Sequence, residues 1–263
     1  MRSKKSAVRA RRRYAQNFLT DPNIISKIIS AVAPQPQDHL VEIGPGRGAL
    51  TDHLVQSSAE LDVIEIDRDL VDLLSDRYRD QSLTIHQGDA LSFDFDSLKE
   101  KRPLRVVGNL PYNISTPLIF RLLEHAHGIK DMHLMLQREV VNRLVAVPST
   151  RDYGRLGIMA QYYCNIIKCF NVPPTAFRPK PKVFSAVVRL IPHQKLPFEA
   201  HNVEVLRRLV TQAFSQRRKI LRNALKPLLA VDAITALGID PELRPENVTL
   251  QQFIQLSDLL APR

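Results

Sequence analysis

The chain of 263 residues is 44% hydrophobic, ordinary for a globular protein and enough apolar material for one large domain and a small one. Its 37 Lys+Arg against 27 Asp+Glu leave a net charge of +10, which suits a polyanionic partner. No run of about 18 apolar residues exists to span a membrane, and Cys164 and Cys169, without zinc spacing around them, exclude a disulfide framework and read as reduced, intracellular and buried.

The opening "MRSKKSAVRARRRY" carries seven Lys or Arg before Tyr14 and no acid. It lacks the apolar core of a secretory signal and reads as a flexible basic arm over residues 1–13 that meets phosphates through Arg11, Arg12 and Arg13. An organelle presequence and a plain solvated tail are the alternatives. From residue 24, helical and extended patterns alternate. "NIISKIISAVA" has helical apolar spacing and stops at Pro34 and Pro36, "HLVEIG" is a short strand ending in glycine, and "ALTDHLVQSS" restarts as a helix. "LDVIEID", "LTIHQGD", "LRVVGN" and "DMHLMLQ" read as strands, "RDLVDLLSDRY" and "TPLIFRLLEHA" as helices. The order argues for a parallel sheet with helices on both faces. His125 and His127 fall at a helix end, where capping fits better than metal binding.

A different rhythm follows. "NIIKCFNV" and "VFSAVVRLI" are β-rich and flank the proline-dense "PPTAFRPKPK". Beyond a linker near residues 192–202 the pattern is almost wholly helical, with "VEVLRRLVTQAFSQRRKILRNALKPLL" reading as one long helix. The expected organisation is therefore a large α/β domain over 1–193 and a small all-helical one over 194–263.

"VEIGPGRGALT" sets Gly44, Gly46 and Gly48 between the first strand and its helix, where a ligand can lie against main-chain atoms at the carboxyl edge of the sheet. A tight turn would need no more than that. Glu65 at the end of the second strand can accept both hydroxyls of a ribose, and Asp89 after the third can accept from an adenine amino group. The G-x-G-x-G spacing lacks the third glycine of a pyrophosphate site, and no Lys-Ser/Thr follows as in an ATP-binding loop. An adenosine cofactor without phosphates fits, and that is S-adenosylmethionine.

"VVGNLPYNIST" ends a strand on the same edge. An exocyclic purine amine is a poor nucleophile, because its lone pair is delocalised into the ring. Hydrogen bonds from its N–H groups to the Asn109 oxygen and to a carbonyl at Leu110 or Pro111 would favour a pyramidal nitrogen aimed at a methyl donor. Pro111 stiffens the chain, and Tyr112 offers a face on which an extruded base gains about 1–3 kcal/mol by stacking.

With these residues in hand, the sequence resembles the ribosomal RNA small-subunit adenine dimethyltransferases of the kasugamycin-resistance type. The likeness runs nearly end to end: "AQNFLTD", "VEIGPGRGALT", "VIEID", "GDAL", "GNLPYNIST", "LMLQREVVNRL", "YGRLGIMAQYY", "PPTAFRPKPKVFSAVVRL" and "AFSQRRKILRNAL". "NLPY" alone is shared with other N6-adenine methyltransferases; the set together is specific. The resemblance implies a Rossmann-like class I methyltransferase domain with a seven-stranded, mostly parallel sheet. It implies transfer of four methyl groups from S-adenosylmethionine to two adjacent adenosines in a hairpin loop near the 3′ end of small-subunit rRNA. Asn17 and Leu19 would close over the cofactor with Gly44, Gly46, Glu65, Asp89 and Asn109, and Phe177 would sandwich the flipped adenine against Tyr112. On composition alone, a hydrophobic plug holding its loop down is the alternative for Phe177.

Between Tyr153 and Phe198 there is no acid against seven Lys or Arg. With "FSQRRKILRN", this assigns RNA contacts to Arg178, Lys180, Arg217, Arg218, Lys219 and Arg222. The expected partner is small-subunit rRNA in a partly assembled subunit, met by a cytoplasmic monomer with no metal and no membrane. The rival readings are a large-subunit rRNA adenine methyltransferase and a non-catalytic assembly factor.

Overall fold

The computed structural model describes residues 17–57, 60–98, 102–216 and 218–261. The expected basic arm, with Arg11, Arg12 and Arg13, and also Arg217, lie outside the described residues.

In chain order the first part runs β1 (Phe18–Leu19), α1 (Pro22–Val32), β2 (His39–Ile43), α2 (Thr51–Leu54), β3 (Glu60–Glu65), α3 (Arg68–Arg77) and β4 (Thr84–Gln87). It continues with β5 (Leu104–Asn109), α4 (Ser115–Glu124), β6 (Ile129–Gln137), α5 (Arg138–Leu144), α6 (Arg155–Tyr163), β7 (Cys164–Val172), β8 (Phe177–Arg178) and β9 (Ser185–Pro192). Then come α7 (Val203–Ser215), α8 (Leu221–Ala224), α9 (Val231–Ala236) and α10 (Leu250–Asp258).

Local chemistry accounts for the boundaries. Asp21 caps α1 by accepting from the backbone N–H groups of Asn23 and Ile24 at 2.9 and 3.2 Å, with Pro22 in the first turn where no N–H is needed. Ile24, Ile28 and Val32 recur at a spacing of four and are buried, each worth about 1.5–3 kcal/mol. Thr249 and Gln252 form a reciprocal cap at the start of α10.

Seven strands form one sheet in the order β4-β3-β2-β5-β6-β9-β7, and β1 pairs separately with β8. The pairs β2–β3, β2–β5, β3–β4 and β5–β6 are parallel, and β6–β9 is antiparallel. This is the seven-stranded, mostly parallel sheet expected. Its centre is apolar on both faces, with Leu40, Val41, Val63, Val106 and Leu134 fully or almost fully buried.

Two compact units emerge. One joins the chain up to Val141 with Ile167–Pro192 and holds the sheet; the other joins Asn142–Ile166 with His193–Arg263 and holds α6 through α10. In the second unit the Tyr153 hydroxyl donates to the Val248 carbonyl at 3.1 Å, and its ring meets Phe214 edge-on at 6.4 Å. Phe214 in turn packs on Phe253. Among the described residues no helix is long and apolar enough to cross a membrane.

Three expectations need correction. The long helix after residue 203 is broken, because residues 215–219 are five consecutive polar positions with no apolar side chain to anchor another turn. The helix expected over "ALTDHLVQSS" is only Thr51–Leu54. Cys164 is buried as expected, but Cys169 is exposed: β7 is the last strand of the sheet, and its alternate residues face outward.

Candidate active site

Strand β2 has β3 on one flank and β5 on the other, so the chain leaves β2 in one direction and returns to β5 in the opposite one. The carboxyl ends of two such strands diverge into a crevice, the usual ligand position in open α/β sheets. Here that crevice is a pocket floored by Glu42, Ile43 and Ile64 and walled by the glycine turn, by Glu65 and Asp89, and by residues 109–114. Asn17, Phe18 and Leu19 form its remaining wall.

Two glycines set the shape of the turn. At Gly46 (φ +57°) a Cβ would lie 3.2 Å from the Phe18 ring, and at Gly48 (φ +84°) it would meet the Tyr78 hydroxyl at 2.3 Å. Both positions therefore reject a side chain on space and on backbone conformation. The Arg47 guanidinium caps the outer side of Phe18, 4.5 Å from its ring centre.

Glu65 is 5% exposed, and its carboxyl is fixed at both oxygens: Oε2 accepts from the Gly46 N–H at 3.2 Å and Oε1 from the Asp67 N–H at 2.9 Å. Burial raises its pKa above the usual carboxylate range, opposed by those backbone donors. A carboxylate has about four acceptor positions, so room remains for a diol. Asp89 is exposed on the rim, with Oδ1 engaged by the Leu91 N–H at 2.9 Å. The pocket wall thus offers acceptors and one cation, Arg47. Such a wall suits hydroxyls, amines and a sulfonium charge and is poor for phosphate. S-adenosylmethionine matches that chemistry.

The strip after β5 has a definite polarity. Asn109 Nδ2 donates to the Asn17 carbonyl at 3.1 Å, so Oδ1 is the amide atom left as acceptor, and among the described residues nothing donates to it. The Leu110 N–H donates to the Met135 carbonyl at 3.1 Å, while among the described residues nothing donates to the Leu110 carbonyl. The Pro111 carbonyl already accepts from the Ile114 N–H at 3.2 Å, closing the turn into α4. Of the two carbonyls left open by the sequence, Leu110 is the open acceptor. The Tyr112 hydroxyl lies 2.7 Å from Ser185 Oγ, which holds the ring at the pocket wall; burial raises its pKa.

Phe177 departs from its expected place. It is fully buried, paired through β8 with Leu19 of β1 and packed among Leu19, Ile24, Val107, Met135 and Val187. It is absent from the pocket wall, so its ring has no exposed face to set against a base opposite Tyr112. The β1–β8 ladder explains this: pinning the segment before the glycine turn requires an apolar residue facing inward at that position. Arg178 and Lys180, just beyond, are exposed; so are Arg218 and Lys219 in the second unit. Arg222 is exposed too, but it pairs with Glu242 at 2.6 Å.

Glu42 lies within β2, among residues that read from the sequence only as a short strand. It is 2% exposed at the pocket floor, accepts from Thr51 Oγ1 at 2.6 Å, and burial pushes its carboxyl up to about 8. An acid inside "HLVEIG" was the available signal. Among the described residues one group could hold a metal, His39, Glu60 and Asp62. There, His39 Nε2 and His86 Nε2 each sit on an Asp62 oxygen, at 2.6 and 2.5 Å.

Comparison with known proteins supplies the family. A family model described as ribosomal RNA adenine dimethylase matches residues 7–262. The "Ribosomal RNA small subunit methyltransferase A" of Pseudomonas syringae is 55% identical over 257 residues, 97% of this chain and 96% of that protein. Among solved structures, a dimethyladenosine transferase from Plasmodium falciparum is 29% identical with a TM-score of 0.79, covering 91% of this chain and 95% of the other. The 23S rRNA methyltransferase ErmE is 25% identical with a TM-score of 0.72, covering 93% and 99%.

Proposed function

The chain belongs to the ribosomal RNA adenine dimethylase family, and from that premise we propose that it dimethylates two adjacent adenosines in a hairpin loop near the 3′ end of small-subunit rRNA. It is an S-adenosylmethionine-dependent rRNA adenine dimethyltransferase. The small-subunit assignment rests on the 55% identity to a small-subunit enzyme, against 25% to a large-subunit one.

When bound, S-adenosylmethionine supplies the electrophilic methyl group. Glu65 accepts from the ribose hydroxyls, Asp89 from the adenine amino group, and Asn17, Leu19, Gly44 and Gly46 line the same pocket. The observation that carries the catalytic reading is the pair of open acceptors on consecutive residues, Asn109 Oδ1 and the Leu110 carbonyl. Two N–H groups of one exocyclic amine can donate to them together. That grip draws the nitrogen out of conjugation and leaves its lone pair directed into the pocket. Asn17 supports this by fixing the Asn109 amide, Pro111 by stiffening the turn, and Tyr112 by stacking under the base.

The protein works on RNA within a partly assembled small subunit, as a cytoplasmic monomer. Its phosphate contacts come from Arg178, Lys180, Arg218, Lys219 and Arg222, with residues 194–263 as an RNA-binding domain. Affinity then falls steeply with salt, and a flat salt response removes the phosphate grip. The deciding experiment supplies labelled methyl donor and small subunits from an unmethylated strain, then maps the label. Dimethyladenine at neighbouring positions in the 3′ hairpin is expected; label absent from the small-subunit rRNA, or found only outside that hairpin, would overturn the assignment.

A further inference from the structure

Among the described residues of the sheet-bearing unit, exposed large hydrophobic side chains are few, and one is aromatic: Phe184, 44% exposed beside Val183, 43% exposed. It lies one residue before β9, whose first residue, Ser185, holds the Tyr112 hydroxyl at 2.7 Å. Gln137 ends β6 opposite Ser185, so Phe184 stands at the same carboxyl edge of the sheet as the pocket; side chains alternate along an extended strand, so its ring takes the face opposite Ser185, the one Arg138 shares.

Its position is fixed from the other side as well. Gln137, the last residue of β6, pairs with Ser185, and the next N–H, that of Arg138, donates to the Phe184 carbonyl at 2.9 Å. The exposed Arg138 guanidinium then lies 4.8 Å from the Phe184 ring centre. Core packing does not account for this ring, since about half of it stays in water. Nor is it isolated, because Lys182 and Val183 are exposed beside it.

An aromatic ring beside a guanidinium, with an exposed lysine two residues away, at the sheet edge that carries the pocket, matches one class of partner: an unpaired nucleobase with its phosphate. We propose that Phe184 and Arg138 form a second stacking platform, which holds the base adjacent to the adenine at Tyr112. Phe184 is thereby a positioning residue for RNA. This rests on the adenine-methylation reading above and adds a contact for the neighbouring nucleotide. A product that is doubly modified at adjacent adenosines needs the neighbour held in register while its partner is in the pocket. Phe177, fully buried, cannot supply that surface.

The test compares Phe184→Ala and Phe184→Trp with the natural full-length protein, using small subunits from an unmethylated strain. Thermal unfolding and S-adenosylhomocysteine binding serve as controls. Loss of one stacked base predicts that the KM for subunits, and the Kd measured without donor, rise on the order of 5- to 100-fold in Phe184→Ala. Both kcat and S-adenosylhomocysteine affinity are expected to stay within about twofold, and Phe184→Trp to restore RNA affinity. An unchanged KM and Kd in Phe184→Ala overturns the platform and leaves the patch to a protein contact. Failure of Phe184→Trp to rescue a measured loss overturns stacking as its basis. If the natural protein binds subunits but transfers no methyl group, the methylation reading fails while the platform is still judged by Kd.

Discussion

The two ends of β5 treat polar groups in opposite ways. At its start, Arg105 Nε and Nη2 donate to Asp131 at 2.8 and 3.0 Å, while Nη1 reaches Asp38 at 2.6 Å. Arg189 donates to Asp131 and Lys130 to Asp38 from the flanks, at 2.7 and 3.0 Å, so both buried carboxylates are answered from several directions. Burial alone would raise the pKa of Asp131 and Asp38; the guanidinium contacts hold both below the usual range. Four residues later, at about 3.3 Å per residue, the same strand ends at Asn109, and that residue and Leu110 just after it hold two acceptors to which nothing donates among the described residues. Saturated polar groups hold a fold together, whereas open ones beside a pocket are ready for a substrate.

This contrast can be broken from either end. The largest expected effect on folding is at the saturated end. Arg105→Met strands two buried carboxylates and should cost about 3–5 kcal/mol, read from urea unfolding, with donor affinity in the remaining folded protein unchanged. A change below about 1 kcal/mol would mean that Lys130 and Arg189 suffice alone. At the open end the signature reverses. Asn109→Ala should slow methyl transfer by about 10²–10³-fold and leave unfolding within about 1 kcal/mol of the natural protein. Glu65→Ala should abolish donor binding, whereas Tyr112→Ala should spare it and slow transfer; calorimetric titration with S-adenosylhomocysteine distinguishes them.

Glu42 sits between these extremes, buried and answered by a single hydroxyl. Burial raises its folded carboxyl to about 8, so between the ordinary carboxylate value and that pH the folded state keeps a proton that the unfolded chain has lost. The sign follows: this group makes stability fall as pH rises through that window, by up to about 1.4 kcal/mol per pH unit, and levels off above it. Glu42→Gln should remove that slope and be the more stable form at pH 8. Parallel pH profiles of the two proteins would refute this.

The sequence made the frame of the pocket legible because its elements announce themselves locally. Short apolar runs end in glycine at Gly44, in Glu65, in Gly88-Asp89 and in Asn109, and their order alone gives a parallel sheet with those ends on one edge. What stayed hidden depends on distant partners. The β1–β8 ladder is two residues long, too short for any periodicity, so the choice between plug and base-stacking face for Phe177 could not be made from its proline-rich surroundings. Cys169 is exposed only because β7 is the last strand in the sheet order. The distinction between the Leu110 and Pro111 carbonyls needed the turn that occupies one of them. Phe184 acquires meaning only through Arg138, 46 residues away in sequence.

The most direct measurement is a structure with S-adenosylhomocysteine and a short RNA carrying the target adenosine. The adenine N6 is expected about 3 Å from both Asn109 Oδ1 and the Leu110 carbonyl, over the Tyr112 ring. An adenine seated in the pocket with its N6 held by other groups, and those two acceptors out of hydrogen-bond reach, would contradict the mechanism.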